Sequence, residues 1–307
     1  MGIYRAKEVR SLEYKGYNVI EENNRVLVEK VKDFDPVHIF ECGQCFRWIR
    51  QEDGSYDGVA KGKAVNVRYC DGVLQITNST LEDFTDIWFD YFDLGRDYSE
   101  IKLRLAKDEI MRKAIAFGHG IRILRQDLWE TLISFIISAN NRIPMIMKTV
   151  AAISELYGDE LQYDGTPYYC FPDADKLAAS GISELEACRA GFRCKYIVNT
   201  SEMIKRGEVR LQDLGNLETA RAREELMKLP GVGPKVADCV LLYSGTKHDV
   251  FPTDVWVKRV MEELYFKREA SFKEIQDFAS SYFGELAGFA QQYLFYYARE
   301  NKIGAKA

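Results

Sequence analysis

One lysine in this chain follows a glycine-punctuated turn that is suited to holding an anion. The turn reads Leu229-Pro230-Gly231-Val232-Gly233-Pro234-Lys235 and separates two segments of helical periodicity. Pro234 stands where the first residue of a helix tolerates the loss of its N–H group, which predicts Lys235 in the first turn of a new helix. Gly231 and Gly233 can adopt positive φ and bring bare N–H groups close to a phosphate. The stretch predicts a phosphate-holding helix-hairpin-helix.

The amine of Lys235 is the candidate nucleophile. Near a helix N-terminus and partly removed from water, it is expected to be more often in its neutral, nucleophilic form. Such an amine can attack the anomeric carbon of a deoxynucleotide, displace the base, and leave a Schiff base that permits strand cleavage by β-elimination. Asp254, in Phe251-Pro252-Thr253-Asp254, can stabilise the positive charge that grows on the sugar.

Each of these two residues has a simpler explanation. A lysine is more often only solvated, and an Asp before a helical pattern is more often only an N-cap. The hairpin, the spacing and the flanking motifs together favour catalysis for Lys235. Asp254 can do both jobs, because capping fixes a carboxylate in one place.

Four motifs in order along the chain carry a resemblance to a known family. They are ECGQCFRW, LPGVGPKVADC with Cys239, FPTDVW with Asp254, and GFAQQYLF. The hairpin and the Asp resemble the helix-hairpin-helix-Gly/Pro-Asp superfamily of DNA glycosylases, and the whole set resembles its 8-oxoguanine DNA glycosylases from about Leu12 to Ala298. The resemblance implies a prokaryotic member, a bifunctional DNA glycosylase and AP lyase of base excision repair.

The resemblance also assigns residues to a pocket for the flipped base. Such a pocket needs two flat walls and a group that reads the pairing edge. The family pattern places Phe295 and Cys239 on the two faces of the purine, Gln291 at its pairing edge, and Pro252 beside it. Gln291 and Phe295 are four positions apart, so they would share a helix face.

Gly43 has the most specific role in this pattern. In 8-oxoguanine N7 carries a hydrogen, whereas in guanine N7 is only an acceptor, so a backbone carbonyl at N7 would favour the lesion. Only glycine would let the main chain approach so closely. A strand bulge at Gly43 and core packing of Phe295 remain the alternatives on residue type alone.

A further set of residues is expected to contact the DNA around the flipped base. The resemblance assigns Asn140, Phe192 and Arg193 to the vacated space and the orphaned partner base; Asn140 could equally be a helix C-cap, and Arg193 a surface cation. The chain departs from the eukaryotic pattern in three places, with Met145 for an arginine on the opposite cytosine, Trp256 for a histidine near the phosphate, and Phe192 for a tyrosine. Gly231, Val232 and Gly233 of the hairpin complete this DNA-binding set.

The absence of this arginine changes the expected preference for the base opposite the lesion. A base-reading contact contributes about 1–3 kcal/mol of discrimination. We therefore expect a weaker preference for cytosine opposite the lesion.

Charge and cysteine content limit the range of partners and cofactors that we expect. Lys and Arg total 42 against 47 Asp and Glu, a net charge of −5, so DNA binding must be local. The seven cysteines are irregularly spaced and suit reduced thiols, and the lone Cys42-x-x-Cys45 pair lacks the second pair of a zinc site. No cofactor or catalytic metal is predicted, although by family analogy the carbonyls of Met227, Leu229 and Val232 could hold an alkali cation. The expected partner is double-stranded DNA containing 8-oxoguanine, bound by a monomer.

No leader pattern and no apolar run near the about 18 residues of a membrane span are present. We therefore expect no membrane association and an intracellular protein. It would be cytoplasmic and nucleoid-associated in a prokaryote, and nuclear in a eukaryote.

The elements that must position these residues change in type along the chain. From Tyr17 to Thr77 short β-rich runs alternate with turn signals, as in an antiparallel meander. Strands are predicted at Val26-Leu27-Val28, His38-Ile39-Phe40, Phe46-Arg47-Trp48, Val65-Asn66-Val67-Arg68-Tyr69 and Val73-Leu74-Gln75-Ile76. Ser79 and Glu82 predict a capping box, and past Tyr98 almost everything reads as helical.

The predicted fold class is α+β. An N-terminal antiparallel β domain of TATA-binding-protein-like build, with flanking helices, would span residues 12–115, and an all-α helix-hairpin-helix glycosylase domain would span 116–307. Residues 1–11 show no clear period. Two other functions stay open: a glycosylase of the same superfamily for other damaged bases, against which Gly43 and Gln291 argue, and a non-catalytic helix-hairpin-helix DNA-binding module.

Overall fold

The computed structural model describes residues 9–305, with an antiparallel sheet followed by a helical part. The sheet has seven strands in the order β1-β2-β3-β7-β6-β5-β4. Its strands are β1 (Arg10–Tyr14), β2 (Tyr17–Glu22), β3 (Arg25–Val28), β4 (Trp48–Arg50), β5 (Tyr56–Ala60), β6 (Lys63–Cys70) and β7 (Val73–Thr77). Ile76 pairs with Val26 on one side and Val67 on the other, and all three are fully buried, so one face of the sheet forms a β-branched core.

Short helices cover this buried face. They are α1 (Pro36–Phe40), α2 (Leu81–Asp83) and α3 (Phe89–Tyr91), the last two joined by a π-helical turn at Phe84–Trp88. The rings of Phe40 and Trp48 stack with centroids 4.2 Å apart. The loop after α1 leaves this core, because Cys42 and Phe46 pack into the hydrophobic core of the helical part.

Within the described residues, the helical part contains twelve α-helices and one small β-hairpin. Its helices are α4 (Tyr98–Leu105), α5 (Glu109–Phe117), α6 (Leu128–Ser138), α7 (Ile143–Tyr157), α8 (Ala174–Ala178), α9 (Ile182–Ala187), α10 (Cys194–Lys205), α11 (Thr219–Leu226), α12 (Pro234–Tyr243), α13 (Val255–Met261), α14 (Phe272–Phe283) and α15 (Ala287–Glu300). Shorter 3-10 helices lie at Gly191–Arg193, Leu211–Asn216 and Gly284–Leu286, and a π-helical turn at Glu262–Phe266 follows α13. Helix α6 lies at the centre of this part, since residues 131–137 are all buried.

The α+β class is confirmed, but some local predictions were wrong. His38-Ile39-Phe40 is not a strand; it lies in α1, because the Asp35 side chain accepts from the Val37 N–H at 2.9 Å and Pro36 begins the helix. Likewise the strand expected at Phe46-Arg47-Trp48 begins only at Trp48. The capping box joins Thr80 to Asp83 rather than Ser79 to Glu82.

A two-stranded hairpin inside the helical part was missed. Strands β8 (Glu160–Tyr163) and β9 (Thr166–Tyr169) pair across Asp164-Gly165. An Asp-Gly pair between tyrosine-rich runs is a hairpin signal that the sequence did contain. The Tyr168 hydroxyl donates to the Asp57 carboxylate at 3.1 Å, so the hairpin touches the sheet.

Three further expectations concern the N-terminal stretch, the domain boundary and membrane-spanning helices. Of the stretch 1–11, residues 1–8 lie outside the described residues, while β1 already begins at Arg10. The domain boundary between residues 115 and 116 stays a prediction. Among residues 9–305, no helix is long and apolar enough to cross a membrane.

The seven cysteines are free thiols. Cys42 and Cys45 donate to different carbonyls, those of Ile39 at 3.2 Å and Phe40 at 3.7 Å. Burial raises the pKa of Cys42 to about 12, which keeps its thiol protonated at neutral pH.

Candidate active site

The predicted helix-hairpin-helix is present as α11, a tight turn and α12. Gly231 has a φ of +80°, and a Cβ there would lie 2.8 Å from the Tyr196 ring, so both conformation and packing require glycine. Gly233 was expected to use positive φ as well but is extended, with a φ of −93°, and is the N-cap of α12. Among residues 9–305, neither glycine N–H donates to a protein acceptor. Both donors therefore remain available to an anion at the start of α12.

Lys235 extends from the first turn of α12 toward the end of α6. Its Nζ lies 3.5 Å from the Ser138 Oγ and 5.3 Å from the centroid of the Phe135 ring. The side chain is half-buried. The amine therefore has one long hydrogen bond and an aromatic face beside it, and it stays accessible.

A cavity of about 140 Å³ lies beside this amine. This is well below the about 300–1,000 Å³ of sites for drug-sized ligands, so it suits one flat ring system. All seven residues predicted for catalysis and base binding line it: Gly43, Lys235, Cys239, Pro252, Asp254, Gln291 and Phe295. The fold therefore brings together residues from the loop after α1, from α12, from the start of α13 and from α15.

Asp254 is fixed by the cap that the sequence predicts. It is the N-cap of α13, and its Oδ1 accepts from the Val257 N–H at 2.8 Å. The charges of both Lys235 and Asp254 act on the thiol of Cys239. Burial raises the pKa of this thiol to about 11, the Lys235 ammonium opposes that rise, and the Asp254 carboxylate adds to it. Cys239 is therefore a neutral, apolar wall at pH 7 rather than a competing nucleophile.

Gln291 has an unused acceptor at the cavity. The residue is 3% exposed, and its Oε1 is buried with no hydrogen-bond partner among residues 9–305. A buried amide oxygen without a partner costs about 1–3 kcal/mol, which a bound ligand with a suitable donor would recover. Phe295 lies on the same helix face and also lines the cavity.

The backbone carbonyls on either side of Gly43 accept hydrogen bonds from side chains that are distant in sequence. The Cys42 carbonyl accepts from the Gln292 amide at 3.1 Å, and the Gln44 carbonyl accepts from the Gln126 amide at 2.7 Å. In the described chain, no hydrogen bond uses the Gly43 carbonyl. Gly43 has a φ of +90°, and a Cβ there would lie 3.2 Å from the Phe295 ring. It is therefore a position of positive φ and close approach, rather than a bulge within a strand.

Residues predicted to contact DNA beyond the base lie outside this cavity. Arg193 is not a surface cation: it is 7% exposed, and its Nε donates to the Ala139 carbonyl at 2.8 Å while Nη2 donates to the Asn140 carbonyl at 3.0 Å. It ties the turn after α6 to the 3-10 helix before α10. Asn140 is exposed with a φ of 50° and follows the C-cap residue Ala139, so it is not the cap itself.

The remaining members of this set have different surroundings. Phe192 is 57% exposed, and the Arg193 guanidinium carbon lies 4.4 Å from the centroid of its ring. Met145 is half-buried on α7. Trp256 packs edge-to-face on Phe295, with ring centroids 5.1 Å apart and an interplanar angle of 88°. The DNA-binding roles of all these residues stay predictions.

Several cavity residues were not singled out from the sequence as site residues. They are Phe46, Phe135, Ser138, Asn141, Ile143, Ile146, Tyr243 and Val257. Most are apolar residues on helices that read as core, and no local pattern distinguishes a core residue from one at a cavity edge. Phe46 lies in the ECGQCFRW motif, which gave the one available signal.

Comparisons with known proteins agree with this geometry. Residues 26–132 match the 8-oxoguanine DNA glycosylase N-terminal domain, and residues 133–283 match the HhH-GPD superfamily of base excision DNA repair proteins. The N-glycosylase/DNA lyase of Arabidopsis thaliana is 30% identical over 83% of this chain and 75% of its own length. The chain belongs to the 8-oxoguanine DNA glycosylases of the HhH-GPD superfamily.

Solved structures of this family support the assignment over nearly the full chain. The Clostridium acetobutylicum 8-oxoguanine glycosylase/lyase, solved with double-stranded DNA containing cytosine opposite 8-oxoguanine, is 48% identical with a TM-score of 0.90. The match covers 96% of this chain and 99% of that one. A structure of MBOgg1 with a low-affinity DNA ligand is 52% identical, with a TM-score of 0.91 over 93% of this chain and 99% of that one. The predicted family, and the predicted enzyme class of DNA glycosylase with lyase activity, are confirmed.

Proposed function

We propose that this protein, as a monomer, excises 8-oxoguanine from duplex DNA with Lys235 as the nucleophile, and then cleaves the strand through the Schiff base that Lys235 forms. One observation carries the proposal. The amine of Lys235, the capped carboxylate of Asp254 and the unpartnered acceptors of Gly43 and Gln291 surround one cavity of about 140 Å³, formed by a single chain.

The reaction divides between the amine and the carboxylate. The neutral Lys235 amine forms a bond to the anomeric carbon while the glycosidic bond breaks. The base leaves with the bonding electron pair and takes up the proton that the newly alkylated amine loses. The Asp254 carboxylate stabilises the positive charge on the sugar during this step. Ring opening gives a Schiff base, and loss of the neighbouring proton expels the 3′ phosphate by β-elimination.

Selection of 8-oxoguanine depends on two hydrogen-bond acceptors and on two side chains that form opposite walls of the cavity. The N7–H of 8-oxoguanine would donate to the Gly43 carbonyl, whereas guanine would present a repelling lone pair there. The pairing edge would donate to Gln291 Oε1, which recovers the cost of its burial. Phe295 and Cys239 would cover the two faces of the ring.

Preference for the opposite base should be relaxed, because Met145 offers no hydrogen bond to cytosine. A base-reading pair contributes about 1–3 kcal/mol, or roughly 5- to 150-fold. Excision opposite C and opposite A should therefore differ less in the parent than in Met145→Arg. Equal ratios in the two proteins would contradict this part of the proposal.

Borohydride trapping tests the reaction itself. The parent protein, with duplex DNA containing 8-oxoguanine opposite C, should give a covalent adduct that is absent with undamaged DNA and absent in Lys235→Gln. Asp254→Asn keeps the cap, since Asn and Asp cap about equally well, and should slow excision on the order of 10²- to 10³-fold by removing the charge. No adduct in the parent would favour the non-catalytic DNA-binding module. An adduct only with alkylated or mispaired bases would favour the other class of glycosylase.

A further inference from the structure

Tyr243 lines the cavity and ends the helix that carries Lys235. It is the last residue of α12 and is 4% exposed. Its ring stacks on that of Phe135, with centroids 5.3 Å apart and an interplanar angle of 22°. The proposed reaction uses neither its hydroxyl nor its backbone carbonyl, yet each of these groups is hydrogen-bonded to a glutamine side chain. The two glutamines connect Tyr243 to the loop that carries Gly43.

The Tyr243 hydroxyl reaches the residue before Gly43 through one of these glutamines. It donates to the Gln292 Oε1 at 2.6 Å, and the Gln292 Nε2 donates to the Cys42 carbonyl at 3.1 Å. Because a carbonyl oxygen can only accept, the nitrogen of this amide must face Cys42 and its oxygen must face the hydroxyl. The hydroxyl therefore fixes the orientation of a fully buried amide that holds the peptide before Gly43.

The Tyr243 carbonyl reaches the residue after Gly43 through the second glutamine. The Gln126 Nε2 donates to the Tyr243 carbonyl at 3.2 Å and to the Gln44 carbonyl at 2.7 Å. The Gln126 backbone N–H donates to the same Tyr243 carbonyl at 3.1 Å, which fixes the position of this glutamine as well. One residue of α12 is thus connected to both carbonyls that flank Gly43.

This connection supplies an orientation that Gly43 cannot provide for itself. Glycine has the widest choice of backbone conformations, and Gly43 has a φ of +90°. Each peptide group is planar, so fixing the peptide groups on both sides leaves the Gly43 carbonyl between them little room to turn. A hydrogen bond weakens steeply as its angle departs from linear, so an acceptor that selects a base must be held in direction as well as in place.

We propose that Tyr243 is a positioning residue for selection of the lesion. Acting through Gln292 and Gln126, it directs the Gly43 carbonyl toward N7 of the flipped base. Because it belongs to the same helix as Lys235, it also holds this acceptor in a fixed relation to the nucleophile. The proposal rests on the proposed function, in which the Gly43 carbonyl accepts from the N7–H of 8-oxoguanine.

The test removes the hydroxyl alone and compares two substrates. Tyr243→Phe keeps the ring stacked on Phe135 and keeps the backbone carbonyl, but it leaves the Gln292 amide without the donor that orients it. Single-turnover excision of 8-oxoguanine should slow about 5- to 20-fold. Borohydride trapping on a preformed abasic site, which needs Lys235 but no base in the cavity, should proceed at the rate of the parent.

Tyr293→Phe is the matched control. Tyr293 lies on α15 and is 1% exposed, and among residues 9–305 its buried hydroxyl has no hydrogen-bond partner. Removal of that hydroxyl should change neither rate by more than about twofold. Excision by Tyr243→Phe at the rate of the parent would overturn the proposal. Equal losses on 8-oxoguanine and on the abasic site would overturn it too, because they would show a general effect on the folded protein.

Binding measures the selection without the chemistry. In a Lys235→Gln background, the ratio of the Kd for an undamaged duplex to the Kd for one containing 8-oxoguanine opposite C should fall about fivefold with Tyr243→Phe, and should stay unchanged with Tyr293→Phe. An unchanged ratio in Tyr243→Phe would contradict the role in selection. A parent protein that does not excise 8-oxoguanine at all would instead refute the proposed function, so the two failures are distinguishable.

Discussion

Gln291 and Gln292 are neighbours on α15 and both are buried, yet their side-chain amides have opposite hydrogen-bond states. Gln292 donates to the Cys42 carbonyl at 3.1 Å and accepts from the Tyr243 hydroxyl at 2.6 Å. Gln291 Oε1 has no partner in the described chain. Gln292 therefore links α15 to Cys42 and Tyr243, whereas within residues 9–305 the Gln291 Oε1 remains a free hydrogen-bond acceptor at the cavity.

This contrast predicts opposite effects for two adjacent substitutions. Gln291→Ala should lower kcat/KM for 8-oxoguanine excision about 10- to 100-fold and change the free energy of unfolding by less than about 1 kcal/mol. Gln292→Ala leaves the Cys42 carbonyl and the Tyr243 hydroxyl unpaired and should cost about 2–4 kcal/mol of stability. Urea unfolding and single-turnover excision separate the two. A stability loss in Gln291→Ala as large as in Gln292→Ala would contradict the assignment.

Gly43→Ala should lose activity for a reason beyond backbone strain. The positive φ costs alanine about 1–2 kcal/mol, and the added Cβ would press on the Phe295 ring from 3.2 Å. The displaced carbonyl should slow excision on the order of 10²-fold. Gly54→Ala is the matched control: it has a φ of +82° and nothing within 4 Å of a Cβ, so it should lose similar stability and keep full activity. Equal activities of the two variants would refute the close-approach role.

Arg193→Ala should destabilise the protein even without DNA. The guanidinium satisfies the carbonyls of Ala139, Asn140 and Ala190, and loss of these charged hydrogen bonds should cost about 2–3 kcal/mol of unfolding free energy. A residue that only contacted DNA would leave the free protein unchanged. Lys195→Ala, an exposed change on α10, should stay within about 0.5 kcal/mol of the parent. Thermal unfolding without DNA makes the comparison.

His248 should make stability depend on pH. Burial first, and then the positive charges of Arg96 and Arg125, lower the pKa of His248 from its ordinary 6.5 to about 4. Because the folded pKa is depressed, the neutral imidazole contributes stability above pH 6.5, and this is lost as the pH falls toward 4, by about 3 kcal/mol in total. His248→Phe cannot titrate, so its unfolding free energy should fall less between pH 7 and pH 4. Parallel pH profiles for the two proteins would rule this out.

Local chemistry could be predicted from the sequence because its signals lie within one or two helical turns. The glycine turn and Pro234 predict the start of α12, Asp254 predicts its own capping bond, and the four-residue spacing puts Gln291 and Phe295 on one face. Where a local signal was misjudged, as at His38, the competing signal was also local: Asp35 and Pro36 begin a helix that the apolar run alone does not indicate.

The sequence by itself determined the hairpin, the candidate amine of Lys235, the capped carboxylate and the family. Only the tertiary structure decided which acceptors stay free, because that depends on partners far along the chain: Gln292 takes the Cys42 carbonyl and leaves that of Gly43. It likewise decided that Arg193 is buried under the turn after α6. Periodicity and capping act between near neighbours, whereas burial and hydrogen-bond satisfaction are set by long-range packing, which no local pattern encodes.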